Sequence, residues 1–393
     1  MHVEKKRLKK ISRWAAYLLG GLVVLFVMEV LGDPKQSAVS PWINLEGVGL
    51  FKRGDSRFTN LFRRGDGGYA ILRIPAIAVT SKGVVLAICE GRESGSDHGN
   101  VDLVMRRSLD GGKTWSELKL LYEEGGDKKV TIGNPCVVTD SESGAVFLAV
   151  CRNNQDVFII CSGDDGLTWE KPEDLTARIK DTSWGWIATG PGHGIQLMRG
   201  PHKGRLVIPC DCEVRGIEGE IAESGHSFVI FSDDHGTSWT RGGVTSKGMN
   251  ECEVVERSDG SLLLSMRNYL GKERRAFAVS RDGGVSWSSP VLHPQVYCSV
   301  CQASILRYSF EPSNVMLYTG PALGRRLMTM RVSFDEGQTW PIAKLLYGRQ
   351  TSYSDLVRLS SGEIGLLMEN DDHTVISFVC FSLSEIVPFE FHP

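Results

Sequence analysis

SLDGGKTW, at Ser108–Trp115, carries the pattern S-x-D-x-G-x-x-W, and that pattern returns four more times. The later copies begin at Ser162, Ser232, Ser280 and Ser333 and read SGDDGLTW, SDDHGTSW, SRDGGVSW and SFDEGQTW. Successive starts lie 54, 70, 48 and 53 residues apart. Each copy has the chemistry of a turn: Asp accepts backbone N–H groups, Gly supplies positive φ, and Trp packs beneath. Before each copy lies an apolar or alternating run, such as NVDLVMRRS, DVFIICS, HSFVIFS, RRAFAVS and LMTMRVS, which reads as a strand. Each copy is therefore expected to join two antiparallel strands. Repeats of this length with strands on both sides suggest propeller blades. From Phe58 to His392 there is room for six units of roughly 55 residues. The expected fold is all-β, a six-bladed β-propeller of four-stranded antiparallel blades over residues 58–393. The octapeptides are read as structural turn clamps in preference to carbohydrate contacts.

Composition agrees with a globular chain. Of 393 residues, 41% are apolar and 23% charged, outside the range of disordered segments. Lys plus Arg number 44 against 47 Asp plus Glu, a net charge of −3, so nothing points to nucleic acid as a partner. Long amphipathic heptads are absent, which argues against a helix bundle or coiled coil. Cys89, Cys151, Cys161 and Cys380 sit in strand-like runs and behave as small hydrophobes. Cys210 with Cys212 and Cys298 with Cys301 have the letters of a zinc site, but C-x-C fits the usual ligand spacing poorly. No metal is expected, and a disulfide framework stays open.

The N-terminus reads as a membrane or export segment. Residues 4–13, EKKRLKKISR, hold six Lys or Arg, and an apolar run follows from Trp14 to Leu31. Eighteen residues as a helix span roughly 27 Å, close to the hydrocarbon thickness. The expectation is a basic cytoplasmic segment (1–13), a hydrophobic transmembrane signal-anchor helix (14–31) and a linker (32–57), with the propeller on the non-cytoplasmic side. The competing reading is a cleaved signal peptide and a secreted protein.

Beyond the repeats, five stretches make the chain recognisable: LRIPAI at Leu72–Ile77, ICEGRESGSDHGNVDLVMRRS at Ile88–Ser108, TGPGHGIQL at Thr189–Leu197, NECEVVERSDGSLLLSMRN at Asn250–Asn268 and TSYSDL at Thr351–Leu356. With the octapeptides, known in that family as Asp boxes, they resemble the exo-sialidases (neuraminidases) of the bacterial and animal retaining type. The match runs over residues 58–393 in family order and leaves out the first 57. The resemblance implies hydrolysis of terminal α-ketosidic sialic acid from glycoproteins, glycolipids or oligosaccharides, without a cofactor. A trans-sialidase and a non-catalytic sialoglycan-binding propeller are the alternatives.

The chemistry of that substrate explains the residue types. A sialic acid bears a carboxylate on its anomeric carbon, and planar Arg holds carboxylates best. By resemblance Arg73, Arg267 and Arg325 form the clamp, Arg326 being a rival to Arg325, and Arg92 binds on the C4 side of the sugar. Arg73 lies inside the apolar segment LRIPAIAV, and buried guanidiniums call for an anion. A carboxylate nucleophile would be repelled by the substrate's own carboxylate. A neutral Tyr avoids this but needs a base, since its ordinary pKa is near 10. By resemblance Tyr353 is the nucleophile, Glu251 its base, with Glu253 and Glu256 as rivals, and Asp97 the general acid/base in the polar loop ESGSDHGN. His98, beside Asp97, is given no role. Trp184, Trp186 and His193 surround the TGPG stretch, either lining the site or packing.

Overall fold

The computed structural model describes residues 49–126, 128–215, 221–311 and 313–387. The expected basic segment, the hydrophobic helix at 14–31 and residues 32–48 of the linker lie outside the described residues. No described helix is long and apolar enough to cross a membrane.

The described chain is all-β. Its strands form five sheets, one of seven strands, two of five and two of four. The count is five because the strand Ile342–Arg358 belongs to two ladders. Residues 342–350 pair with Arg326–Ser333, and residues 351–358 pair with Ile364–Asn370. Divided there, the seven-stranded sheet becomes two four-stranded antiparallel ladders sharing one long strand. The last ladder ends on Thr59–Arg63, the first described strand, paired with Val375–Phe381.

The strands follow from the apolar runs. Val85–Arg92 is buried throughout, as is Met249–Glu256, because inner strands are covered on both faces. The core is split into clusters that each lie between two neighbouring sheets. Leu86, Ile88 and Leu148 join the first to the second, and Phe147, Trp184 and Phe228 the second to the third. Val229 and Leu264 join the next pair, and Leu263, Phe277 and Tyr318 the pair after. One more cluster, with Leu72, Val85, Leu367 and Phe378, joins the last ladder to the first.

The octapeptides sit where a sheet's third strand turns into its fourth. In the first, the Ser108 hydroxyl accepts from Gly112 N–H at 2.8 Å, and Asp110 accepts from Thr114 N–H at 2.8 Å and from Thr114 Oγ1 at 2.6 Å. The other four repeat these bonds. Hydrogen bonds from Thr114 hold the Asp110 carboxyl down to about 2. Each box also presses on the preceding sheet. Trp115 packs on Phe378 at 5.1 Å between ring centroids, and Trp239 on Phe147 at 5.9 Å. The boxes are therefore clamps between sheets. There are five and not six because the last ladder's outer strand comes from the N-terminal end of the domain, so no turn links it to its neighbour.

The box glycine serves two needs at once. At Gly236, φ is 83° and an added Cβ would lie 2.2 Å from Phe147 Cζ. Gly236→Ala should cost about 2–4 kcal/mol through left-handed strain plus overpacking. Urea unfolding checks this; an unchanged midpoint would show that the box does not clamp.

Candidate functional site

The boxes follow the ends of third strands, so they occupy one face of the domain. On the opposite face the inner strands begin and the second strands end. Arg73 and Glu251 lie near the starts of Ile71–Val79 and Met249–Glu256, and Arg92 and Arg267 at or near the ends of Val85–Arg92 and Leu262–Asn268. Tyr353 lies near the start of the second ladder of the shared strand. Local irregularities aim these residues. The pairing register slips between Arg73 and Ala76, between Met249 and Cys252, and between Thr351 and Ser354. Such bulges re-aim side chains beside functional sites. Ile74 has φ 62° and its N–H donates to Glu369 Oε1 at 2.8 Å.

Together these ends line a cavity of about 380 Å³ that contains Arg73, Arg92, Asp97, Glu251, Arg267, Arg325 and Tyr353. All seven residues singled out in the sequence thus meet in one place. The Tyr353 hydroxyl donates to Glu251 Oε1 in a short bond. Arg267 Nη1 donates to Tyr353 Oη at 3.1 Å and to Glu251 Oε2 at 2.6 Å. The guanidinium carbons of Arg73 and Arg325 lie 5.3 and 5.7 Å from the Tyr353 ring centroid. Arg325 has φ 52°, and its Nη1 donates to Ser352 Oγ at 3.3 Å. Among the described residues Arg325 forms no ion pair. Arg326 does not line the cavity.

Burial, then the charge of Glu251, raises Tyr353 well above the usual phenol range. It is therefore a neutral phenol that needs a base, and Glu251 is bonded to it. Asp97 lies on an exposed loop, with its side chain 67% accessible, and accepts from Arg92 Nη1 at 2.5 Å. Burial opposes the effect, but Arg92 and Arg73 together hold the Asp97 carboxyl below its ordinary range. Protonating Asp97 thus requires that its contact with Arg92 be weakened.

Several residues of the site escaped the sequence reading. Glu369 holds Arg73 through two 3.2 Å bonds, and Glu90 accepts from Arg92 Nε at 2.8 Å. Tyr269 Oη accepts from Arg267 Nη2 at 2.5 Å. Asp211 lines the same cavity, and burial, then the charge of Glu251, raises its carboxyl well above the usual range. It accepts from Asn250 Nδ2 at 2.9 Å. The available signal was an acidic residue inside an apolar run: Glu90 in VVLAICEGR, Asp211 in LVIPCDCEV, Glu369 in IGLLMEN.

The remaining sequence candidates separate cleanly. Glu253 is fully buried, and Glu256 accepts from the N–H groups of Met198 and Arg199. Trp186 and His98 line the cavity, whereas Trp184 is core. His193 lies beneath the site, its Nδ1 2.6 Å from Asp355 Oδ1 and 3.7 Å from Glu253 Oε2. These three are the one metal-type group among the described residues. Their oxygens are already engaged by Ile77 N–H, Ser304 and Ile305 N–H, the arrangement of a hydrogen-bonded clasp. All ten cysteines are free thiols, so the disulfide option is set aside.

A family model described as the BNR repeat-like domain matches residues 84–366. The chain belongs to the BNR repeat-like domain family. It is 32% identical to a sialidase of Micromonospora viridifaciens over 88% of this chain and 57% of that protein. With mouse Sialidase-3 it shares 29% identity, over 77% of this chain and 79% of the relative. The BNR repeat-like chain spans 57% and 61% of the lengths of the Micromonospora and Bacteroides fragilis sialidases. Among solved structures it is similar to the Hadza microbial sialidase Hz136, with a TM-score of 0.75 and 27% identity over 83% of this chain and 68% of that one. The intramolecular trans-sialidase of Ruminococcus gnavus, at 20% identity and TM-score 0.73 over 85% of this chain and 99% of that one, shares the fold.

Proposed function

We propose that the protein is an exo-α-sialidase that releases terminal sialic acid from glycoconjugates with retained configuration. The observation that carries this is the convergence of three guanidiniums on a buried Tyr–Glu pair. Arg73, Arg267 and Arg325 hold the substrate carboxylate, which supplies the anion that Arg325 lacks. Arg92 contacts the sugar beside them. Asp97 protonates the glycosidic oxygen as the C–O bond breaks. Tyr353, giving its proton to Glu251, forms the covalent bond to the anomeric carbon. Water then enters, losing its proton to Asp97, and Tyr353 leaves with the proton returned by Glu251. A neutral nucleophile suits a site already crowded with one carboxylate from the substrate.

The fold belongs to the same proposal: six four-stranded blades closed into a ring. Its support is the cluster between the last ladder and the first, with Thr59–Arg63 completing the last blade. Residues 14–31 are proposed as a membrane anchor on the strength of their apolar run, with the catalytic domain outside the cytoplasm. Recovery of the full chain in an alkali-washed membrane pellet supports this; recovery in the supernatant overturns it.

The activity test incubates the full chain with a fluorogenic α-ketoside of N-acetylneuraminic acid, with and without lactose. Release of the fluorophore with free sialic acid as sole sugar product is the expected result. Sialyllactose as the main product would make the protein a transferase, and no release would leave a binding propeller.

A further inference from the structure

We propose that an arginine-lined pocket beside the catalytic cavity is an accessory site for a second sialic acid residue of a multiply sialylated glycan. This rests on the sialidase reading for the identity of the sugar. The pocket has a volume of about 680 Å³ and is lined by Arg53, Arg63, Arg64, Phe58 and Tyr347 among others. It therefore exceeds the catalytic cavity in size and falls within the range of small-ligand sites.

Its position is set by topology. Arg63 pairs with Val375, at the start of a third strand, and Asn370 ends a second strand. Both strand ends lie on the face that carries Tyr353 and away from the Asp boxes. The two cavities are linked through one strand end. Asn370 and Asp371 line the second pocket and follow directly on Glu369, which grips Arg73 in the first. His373, in the same turn, places Nε2 3.4 Å from Glu369.

Its chemistry selects an anionic sugar. The carboxylates on its wall are already taken: Asp55 by Arg57 at 3.1 Å and Asp371 by Arg53 at 3.2 Å. Arg63 and Arg64 are exposed, and among the described residues their guanidiniums make no ion pair or hydrogen bond. Two free guanidiniums lining one pocket can take a carboxylate. Phe58 is partly buried and packs edge to face at 5.8 Å on Tyr347, which is itself buried, so Phe58 offers apolar ring surface to the C–H face of a sugar. An inorganic anion would use the arginines but leave the Phe58 ring and most of the volume unused.

The test compares the full chain with the double variant Arg63→Ser/Arg64→Ser, whose exposed positions the fold tolerates. Each is given the small fluorogenic ketoside and an α2,8-linked sialic acid tetramer. The variant should keep kcat and KM on the ketoside within about twofold, while KM on the tetramer rises roughly tenfold, the loss of about one charged contact pair. Equal tetramer kinetics in the two proteins, or equal losses on both substrates, would overturn the proposal. Calorimetric titration of the tetramer separates this from the catalytic reading. If neither protein cleaves the ketoside but tetramer binding still depends on Arg63 and Arg64, the pocket stands and the sialidase assignment falls.

Discussion

Tyr353→Phe should lower kcat on a fluorogenic sialoside by roughly 10³-fold or more, the scale on which losing a nucleophile acts in a covalent mechanism. The substitution deletes one oxygen and leaves Arg267 bonded to Glu251, so the site keeps its charges. Affinity for free sialic acid, measured by calorimetry, should therefore change by only a few-fold, because the arginines that hold the carboxylate remain. Glu251→Gln should lose on the order of 10²–10⁴ in kcat. Burial raises the phenol of Tyr353, and without a base it cannot ionise at neutral pH. Unchanged turnover in Tyr353→Phe, at equal folded protein, would remove this residue from the reaction.

Asp355→Ala should destabilise the fold by about 3–5 kcal/mol, the cost of stripping one partner from a buried charge cluster. Asp355 is fully buried. It accepts from Ile77 N–H at 2.7 Å and contacts His193 at 2.6 Å, while Ser304 bridges it to Glu253. Ile77, His193, Glu253, Ser304 and Asp355 lie on strands of five separate ladders. Tyr353 and Glu251 each stand two residues before a member of this cluster, on the same strand, so the clasp also fixes the strands that carry the catalytic pair. Urea unfolding gives the magnitude; a change below about 1 kcal/mol would show that the clasp contributes little.

The same cluster sets a pH dependence. Burial alone would lower His193, but the charges of Glu253 and Asp355 outweigh it and push the imidazole up to about 9. Burial pushes Glu253 up as well. Both groups then hold protons more tightly in the folded chain than in the unfolded one. The His193 contribution is complete below its ordinary value of 6.5 and is lost as pH rises through about 9; Glu253 acts in the same sense. Unfolding free energy should fall between pH 6 and pH 9, and His193→Gln should flatten that fall. An equal slope in the variant would assign the dependence to other groups.

The repeated octapeptide was legible because its bonds are local. Ser108, Asp110, Gly112 and Thr114 satisfy one another within a single turn, so the same letters recur wherever that turn is built. The strands before each box were legible for a similar reason, since burial on both faces demands continuous apolar runs. The N-terminal hydrophobic run stood out by composition alone. Glu369, Glu90 and Asp211 were not legible, because an acidic residue in an apolar strand becomes meaningful only when its partner is known. Arg73 and Glu369 are 296 residues apart in sequence. Glu253 and Asp355 likewise look like ordinary strand acids until His193 is set between them.

The sequence by itself determined the all-β class, the turn clamps and, through short motifs, seven residues of the site. The class and the clamps depend on periodicity and on bonds within one turn, which neighbouring residues dictate, whereas the seven residues follow from the resemblance of those motifs to a known family. The tertiary structure alone decided which acids hold which arginines, that Arg325 and not Arg326 faces the cavity, and that His193 lies under the site. Those outcomes depend on the desolvation and pairing of charges brought together from separate sheets. No local pattern records such contacts, because each partner's environment exists only once the sheets have packed.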